Sequence, residues 1–228
     1  MAELFDSYDR SYGAVVQSSI DFLGLPHSFF MAAKAAVLRE LIATHLDGEA
    51  LAAALDVGCG VGAFHPFMHG MFRQLCGTDV SAPSLAQARR SNPDVDYKAY
   101  DGTILPYDGA TFDLATAICV MHHVAPEQRL GFLREMRRVV RPGGLVCIIE
   151  HNPFNPLTRL AVVRCEFDRD AVLLRAGQTR RLMADAGLRD ADTRYFALLP
   201  SVAPLARSIE HRFRRVPLGA QYVTHGIA

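Results

Sequence analysis

A glycine-rich segment carries the most informative pattern of this sequence. Residues Asp56-Val57-Gly58-Cys59-Gly60-Val61-Gly62 follow an apolar run and precede a stretch with helical periodicity. Glycines here allow a sharp turn and let a ligand approach the main chain closely. Gly58, Gly60 and Ala63 fit the GxGxxA fingerprint of dinucleotide-binding loops, and Asp79 follows Gly58 by 21 residues, the spacing of a ribose-binding carboxylate. The loop therefore predicts a site for a cofactor that contains a nucleoside.

Further patterns bear on which cofactor binds. Asp56 stands two residues before the first glycine and completes the pattern DxGxGxG. No tyrosine is followed four residues later by a lysine, so the active-site pair of short-chain dehydrogenases is missing. Asp101-Gly102 follows the third apolar run, Phe112-Asp113-Leu114 begins the fourth, and a segment ending in Pro142-Gly143-Gly144 precedes the fifth.

Between about Ala53 and Glu150 this combination resembles the class I S-adenosylmethionine-dependent methyltransferases, especially the small-molecule and quinone-pathway branch. The resemblance implies a transferase that uses S-adenosyl-L-methionine and releases S-adenosyl-L-homocysteine, and it disfavours an NAD enzyme. It also implies a set of cofactor-binding residues, namely Asp56, Gly58, Gly60, Gly62, Asp79, Val80, Asp101, Gly102, Ile118 and Cys119.

The resemblance gives parts of this set separate roles. The residues of the glycine-rich loop surround the methionine moiety, and the backbone of Ile118 and Cys119 touches the cofactor. Asp79 binds the ribose hydroxyls, since one carboxylate can accept both hydroxyl protons. Val80 packs against the adenine, and Asp101 accepts a hydrogen bond from the adenine amino group. Asp101 could instead only form a turn with Gly102, and Cys119 could be a plain core thiol.

The N-terminal segment is interpreted as a helical lid. Tyr8, Tyr12, Phe29, Phe30 and Lys34 combine aromatic faces with a cation. Aromatic faces attract a cationic sulfonium, and a closed lid excludes water from the transfer. Tyr12 and Lys34 are therefore added to the cofactor-binding set, with Lys34 facing the methionine carboxylate. The alternative is ordinary core packing beside a solvated lysine.

Two histidines are candidate catalytic residues, because the acceptor site of such sheets lies beyond the carboxyl ends of the strands. His122 follows the fourth predicted strand and His151 the fifth. A neutral imidazole can accept a proton at neutral pH, which favours an oxygen acceptor over nitrogen or carbon. The stretch 154–168 is the expected specificity loop. His65 and His69 share a helix face without a third ligand, so no metal ion is expected.

Apolar runs that alternate with helical stretches predict an α/β fold. We expect a doubly wound, mostly parallel seven-stranded sheet with helices on both faces. The predicted strands are Leu51–Val57, Gln74–Val80, Val95–Tyr100, Phe112–Val120, Gly144–Glu150, Ala191–Leu198 and Ala220–Gly226. The predicted helices after the cap are Ala63–Phe72, Pro83–Arg90, Pro126–Val140 and Ala171–Ala186. Residues 1–228 are expected to form a single domain, with a cap over 1–46, a cofactor-binding core over 47–150 and an acceptor side over 151–228.

Composition narrows the function class. Lys+Arg and Asp+Glu are balanced at 24 each, which disfavours nucleic acid as a partner. No apolar run approaches the ~18 residues of a membrane span. Five scattered cysteines favour reduced thiols and a cytoplasmic location. We expect a monomer or homodimer that methylates a small molecule. The alternatives are a relative that binds the cofactor without transferring its methyl group, or a subunit that needs a partner.

Overall fold

The computed structural model describes residues 12–46, 53–201 and 203–228. The strands are β1 (Ala53–Val57), β2 (Gln74–Asp79), β3 (Asp96–Ala99), β4 (Phe112–Ile118), β5 (Val140–His151), β6 (Arg189–Phe196) and β7 (Gln221–Ile227). The α-helices are α1 (Tyr12–Ile20), α2 (His27–His45), α3 (His65–Met68), α4 (Ala82–Ser91), α5 (Arg129–Val139), α6 (Pro156–Arg164), α7 (Ala176–Asp185) and α8 (Pro204–Phe213). Short 3-10 helices span Asp21–Leu23 and Glu166–Asp168.

The seven strands form one sheet in the order β3-β2-β1-β4-β5-β7-β6. All pairings from β3 to β5 are parallel, whereas β7 is antiparallel to both β5 and β6. The predicted α/β class and strand number are confirmed, and the sheet is mixed because of this one reversed strand. The strand order reverses between β1 and β4, and such a switch point opens a crevice beyond the carboxyl ends of the strands.

Helices cover both faces because successive strand residues point in opposite directions. Along β1, Ala54 packs with the layer that contains Leu38 of α2, while Leu55 packs with the layer that contains Leu133 of α5. Every residue of β1 is buried. The mostly apolar character of this central strand follows from its burial on both sides.

Several predicted boundaries move in the structure. The helix predicted over Ala63–Phe72 is confined to α3, since the following residue, His69, has an extended ψ of +136°. The helices predicted from Pro126 and from Ala171 begin later, at the starts of α5 and α7, and β5 begins before Gly144. The expected specificity loop contains α6, where the Asn155 side chain accepts a bond from Thr158 N at 3.0 Å and caps the helix. Such a cap satisfies a backbone donor at the helix start.

Residues 12–46, the described part of the N-terminal segment, are helical, with the break predicted at Gly24-Leu25-Pro26. Gly24 has φ +65° and ends the 3-10 turn, after which α2 begins. Tyr8 and residues 51 and 52 lie outside the described residues, as does the side chain of Tyr12. Among the helices that the structure describes, none combines the length and the apolar character needed to cross a bilayer.

Candidate active site

A cavity of about 710 Å³ opens beyond the carboxyl ends of β1, β2, β4 and β5. Its size is that of a small-molecule site. Most of the sequence-predicted site residues line it, namely Lys34, Asp56, Gly58, Gly60, Asp79, Val80, Asp101, Gly102, Ile118, Cys119 and His151. Gly62 and His122 do not line it. Residues from α1, α2, α6 and the segment after β6 complete the wall.

The three glycines of the loop are required for different structural reasons. All adopt positive φ, at +73° for Gly58, +52° for Gly60 and +70° for Gly62. A Cβ on Gly58 would lie 2.7 Å from Val120 Cγ2, and one on Gly62 would lie 2.6 Å from the Tyr97 hydroxyl. A Cβ on Gly60 would meet no atom within 4 Å. The main chain at Gly60 therefore faces open cavity, whereas the other two glycines are needed for packing.

Asp79 fixes the loop to the end of β2. Its Oδ2 accepts the N–H of Gly60 at 2.8 Å, and its Oδ1 accepts the N–H of Ser81 at 2.9 Å. Burial raises the pKa of this carboxyl, and the two backbone donors oppose that rise. A carboxylate offers roughly four acceptor positions, so the group can still bind a hydroxyl from the cavity.

Asp56 is held by a buried network that the sequence did not reveal. The Thr116 hydroxyl donates to Asp56 Oδ1 at 2.9 Å, and His65 Nε2 lies 3.2 Å from Asp56 Oδ2. The other ring nitrogen of His65 lies 2.5 Å from the Tyr97 hydroxyl. His65 is buried while His69 is exposed, so these two histidines do not act as a pair.

Asp101 and Gly102 lie on the loop after β3. Asp101 Oδ1 accepts the backbone N–H of Thr103 at 2.8 Å and of Ile104 at 3.0 Å, which lowers the pKa of the exposed carboxyl. Asp101 therefore forms the turn that was its alternative role, and it also faces the cavity beside Tyr100.

Cys119 and Lys34 also line the cavity. Cys119 has φ +57°, a conformation that L residues rarely adopt and that marks a constrained site. Burial would raise the pKa of the Cys119 thiol, but Lys34 and His151 outweigh it and lower the pKa. Lys34 is 5% exposed, so it is not the solvated lysine of the alternative interpretation. It supplies a cation inside the cavity.

Three histidines converge on Asp168. His122 Nε2 lies 3.2 Å and His123 Nε2 lies 3.3 Å from Asp168 Oδ1, and His151 Nε2 lies 3.9 Å from Oδ2. Burial would raise the pKa of Asp168, but the bonds from His122 and His123 lower it. Burial would lower the pKa of His151, but Cys119 and Asp168 raise it.

Glu150 explains why His122 does not face the cavity, contrary to the expectation that both histidines overlook the acceptor. Glu150 Oε1 accepts the N–H of Val120 at 3.1 Å and of Met121 at 2.8 Å, and its Oε2 lies 2.5 Å from His122 Nδ1. Both ring nitrogens of His122 thus face buried carboxylates and not the cavity, so His122 does not meet an acceptor there. Sequence patterns did not place Glu150, His123 or Asp168 in this network, although Asp168 ends the expected specificity loop and Glu150 precedes His151 at a strand end.

Comparisons with known proteins identify the kind of domain that carries this cavity. Residues 55–148 match the protein family described as a methyltransferase domain. A ubiquinone biosynthesis O-methyltransferase from Chelativorans sp. (strain BNC1) is 27% identical over 183 residues, which cover 72% of each chain. A malonyl-[acyl-carrier protein] O-methyltransferase from Salmonella typhimurium is 34% identical over 111 residues, which cover 47% of this chain and 42% of that protein.

Solved structures share the fold. An S-adenosylmethionine-dependent methyltransferase from Thermotoga maritima superposes with a TM-score of 0.69 at 17% identity, over 100% of this chain and 99% of that chain. The methyltransferase in complex with the Trm112 activator of Haloferax volcanii gives 0.68 at 20% identity, over 98% and 97% of the two chains. The matched domain and the named relatives confirm the predicted class. Residues 55–148 form a methyltransferase domain, and the match together with the curated relatives supports a class I enzyme whose cofactor is S-adenosylmethionine.

Proposed function

We propose that this enzyme methylates a hydroxyl oxygen of a small-molecule acceptor that binds beside His151. The observation that carries the proposal is the position of this imidazole on the cavity wall at the end of β5. Of the two histidines predicted for catalysis, His151 lines the cavity and His122 does not. The O-methyltransferase activity named for the relatives from Chelativorans and Salmonella supports the choice of oxygen.

The cofactor half of the cavity is assigned to the loop and to β2. The open space at Gly60 fits a ligand against the main chain, and the buried carboxylate of Asp79 beside it fits ribose hydroxyls. Val80 and Asp101 are assigned to the adenine. Lys34 is assigned to the methionine carboxylate, because a buried cation is stabilised by an anionic partner. When bound, S-adenosylmethionine supplies an electrophilic methyl group on a cationic sulfur.

The acceptor half is assigned to the chain after β5. Leu157, Thr158 and Ala161 of α6 line the cavity, together with Phe167 and Leu198. These side chains are mostly apolar, so they favour an acceptor with an apolar body. Within this arrangement His151 accepts the hydroxyl proton as the oxygen attacks, and alignment by the walls supplies most of the acceleration.

The proposal also divides the whole chain into three functional parts. Residues 1–46 serve as a cap, 47–150 as the cofactor-binding core and 151–228 as the acceptor side. Val16 and Ile20 of α1 and Phe29 and Phe30 of α2 line the cavity, which supports a lid that excludes water. The role proposed for Tyr12 in this lid awaits a test by substitution.

Two experiments test the proposal. Incubation with methyl-labelled S-adenosylmethionine and a panel of phenols, carboxylic acids, amines and sugars should label a hydroxyl, which mass spectrometry identifies. Labelling of an amine instead, or cofactor binding without transfer to any acceptor, would overturn it and favour the non-transferring alternative. With the labelled acceptor, His151→Gln should lower turnover by ~10²–10⁴-fold at unchanged cofactor affinity. The exposed His69→Gln variant is the matched control, and similar turnover in both variants would rule out His151 as the base.

A further inference from the structure

Two imidazoles and one carboxylate bring possible metal-ligand atoms close together beside the cavity. One ligand atom from each of His122, His123 and Asp168 lies within 4.8 Å of the others. Nε2 of His122 and Nε2 of His123 lie 3.2 Å and 3.3 Å from Asp168 Oδ1. His123 and Asp168 line the cavity, while His122 lies directly behind them. The three side chains come from the loop after β4 and from the 3-10 helix Glu166–Asp168, which the fold brings to the same edge of the sheet.

The surroundings of His122 match those of a metal-ligating histidine. Such a histidine commonly donates its second ring N–H to a carboxylate, which sets the tautomer and the ring orientation. Here Glu150, which is fully buried, lies 2.5 Å from Nδ1 of His122 and is itself held by two backbone N–H groups. A proton on Nδ1 would bind Glu150 and would leave Nε2, which lies 3.2 Å from Asp168 Oδ1, as the ligand atom.

Charge favours a cation at this point. Glu150 and Asp168 bring two carboxylates to the same side of the cavity, one fully buried and the other 12% exposed. Buried charges of one sign are unfavourable unless a partner of opposite charge compensates for them. A cation between Asp168 and the two imidazoles would compensate for both carboxylates.

We propose that His122, His123 and Asp168 bind a divalent first-row transition-metal ion, with open coordination positions toward the cavity. Two histidines and one carboxylate form the ligand set of several catalytic metal sites, whereas Mg²⁺ and Ca²⁺ prefer sites made of oxygen ligands. The side of the ion that faces the cavity is available to the acceptor. There the ion holds the acceptor hydroxyl next to His151 and lowers the pKa of that hydroxyl. This role rests on the proposed O-methylation, while metal binding itself does not.

Metal binding is tested on the full chain without cofactor or acceptor. After dialysis against a chelator, calorimetry with Zn²⁺ should show one site, Co²⁺ should produce visible absorption at the same stoichiometry, and Mg²⁺ should produce no comparable heat. His123→Gln and Asp168→Asn should each weaken Zn²⁺ binding at least tenfold. Glu150→Gln should weaken it by roughly 10–100-fold, as loss of a residue that orients a ligand does.

Control variants make the result specific. His69→Gln and His45→Gln remove histidines outside the cluster and should bind Zn²⁺ as the wild type does, and circular dichroism verifies the fold of each variant. A wild-type protein that binds no Zn²⁺ or Co²⁺, or one whose binding survives both cluster variants, would overturn the site. With the acceptor identified, equal methyl transfer before and after chelation would overturn the role of the ion and leave the proposed function intact.

Discussion

Alanine at Gly60 and at Gly62 should damage this enzyme in two different ways. Both glycines have positive φ, at +52° and +70°, where an L residue is disfavoured by about 1–2 kcal/mol. At Gly62 the new Cβ would also lie 2.6 Å from the Tyr97 hydroxyl and 2.8 Å from Asn92 Nδ2. Overpacking of this kind adds about 1–3 kcal/mol. We therefore expect Gly62→Ala to lower the free energy of unfolding by about 2–5 kcal/mol and Gly60→Ala by about 1–2 kcal/mol.

The affinity for the cofactor should be reduced more by Gly60→Ala than by Gly62→Ala, although Gly60→Ala is the less destabilised of the two. The Cβ of Gly60→Ala enters the space assigned to the cofactor, so the affinity for S-adenosyl-L-homocysteine should fall at least tenfold, or about 1.4 kcal/mol. Gly70→Ala is the matched control, since Gly70 has φ +78°, a Cβ added there would meet no atom within 4 Å, and the residue does not line the cavity. It should be destabilised as Gly60→Ala is and should keep its affinity.

Urea denaturation gives the stabilities, and calorimetry with S-adenosyl-L-homocysteine gives the affinities. Equal affinity of Gly60→Ala and Gly70→Ala for S-adenosyl-L-homocysteine would show that the cofactor does not lie against Gly60. A free energy of unfolding for Gly62→Ala as high as that of Gly60→Ala would show that the contact with Tyr97 relaxes without loss.

Other predictions address the ribose site, the pH dependence of folding and the lid. Asp79→Ala should weaken cofactor binding by about 1.5–3 kcal/mol, as calorimetry measures, and the exposed Asp94→Ala should not. Burial, His45 and Arg194 lower the pKa of His225 to about 4 against an opposing effect of Asp192. The folded protein therefore binds the His225 proton more weakly than the unfolded chain does. As a result, the free energy of unfolding is highest above pH ~6.5 and falls by up to about 3 kcal/mol as the pH approaches 4. Urea denaturation at several pH values should show a smaller loss in His225→Gln, and an equal loss would contradict this assignment. Hydrogen exchange in α1 and α2 should slow when S-adenosyl-L-homocysteine binds while α7 stays unchanged, and equal exchange would count against a lid.

Local patterns were sufficient to predict the glycine-rich loop and the strands beside it. The loop at Gly58–Gly62, the strands beside it and Asp79 lie close together in the chain, so their spacing already contains their geometry. The periodicity of buried strands and amphipathic helices likewise predicted an α/β sheet of seven strands. Boundaries shifted where the backbone of a single residue overrides periodicity, as His69 with its ψ of +136° does at the end of α3.

Tertiary structure alone decided the other half. The reversal of β7 between β5 and β6 depends on pairing between strands far apart in the chain, which no local pattern contains. His123 lines the cavity and His122 does not. The alternation of side-chain directions along β4 could not predict this, because the left-handed backbone of Cys119 interrupts it before both histidines. The approach of Asp168 to His122 spans 46 residues and exists only because the 3-10 helix that carries Asp168 packs against the end of the sheet. Sequence spacing predicts neighbours along one element, whereas the convergence of side chains from separate elements is set by how those elements pack.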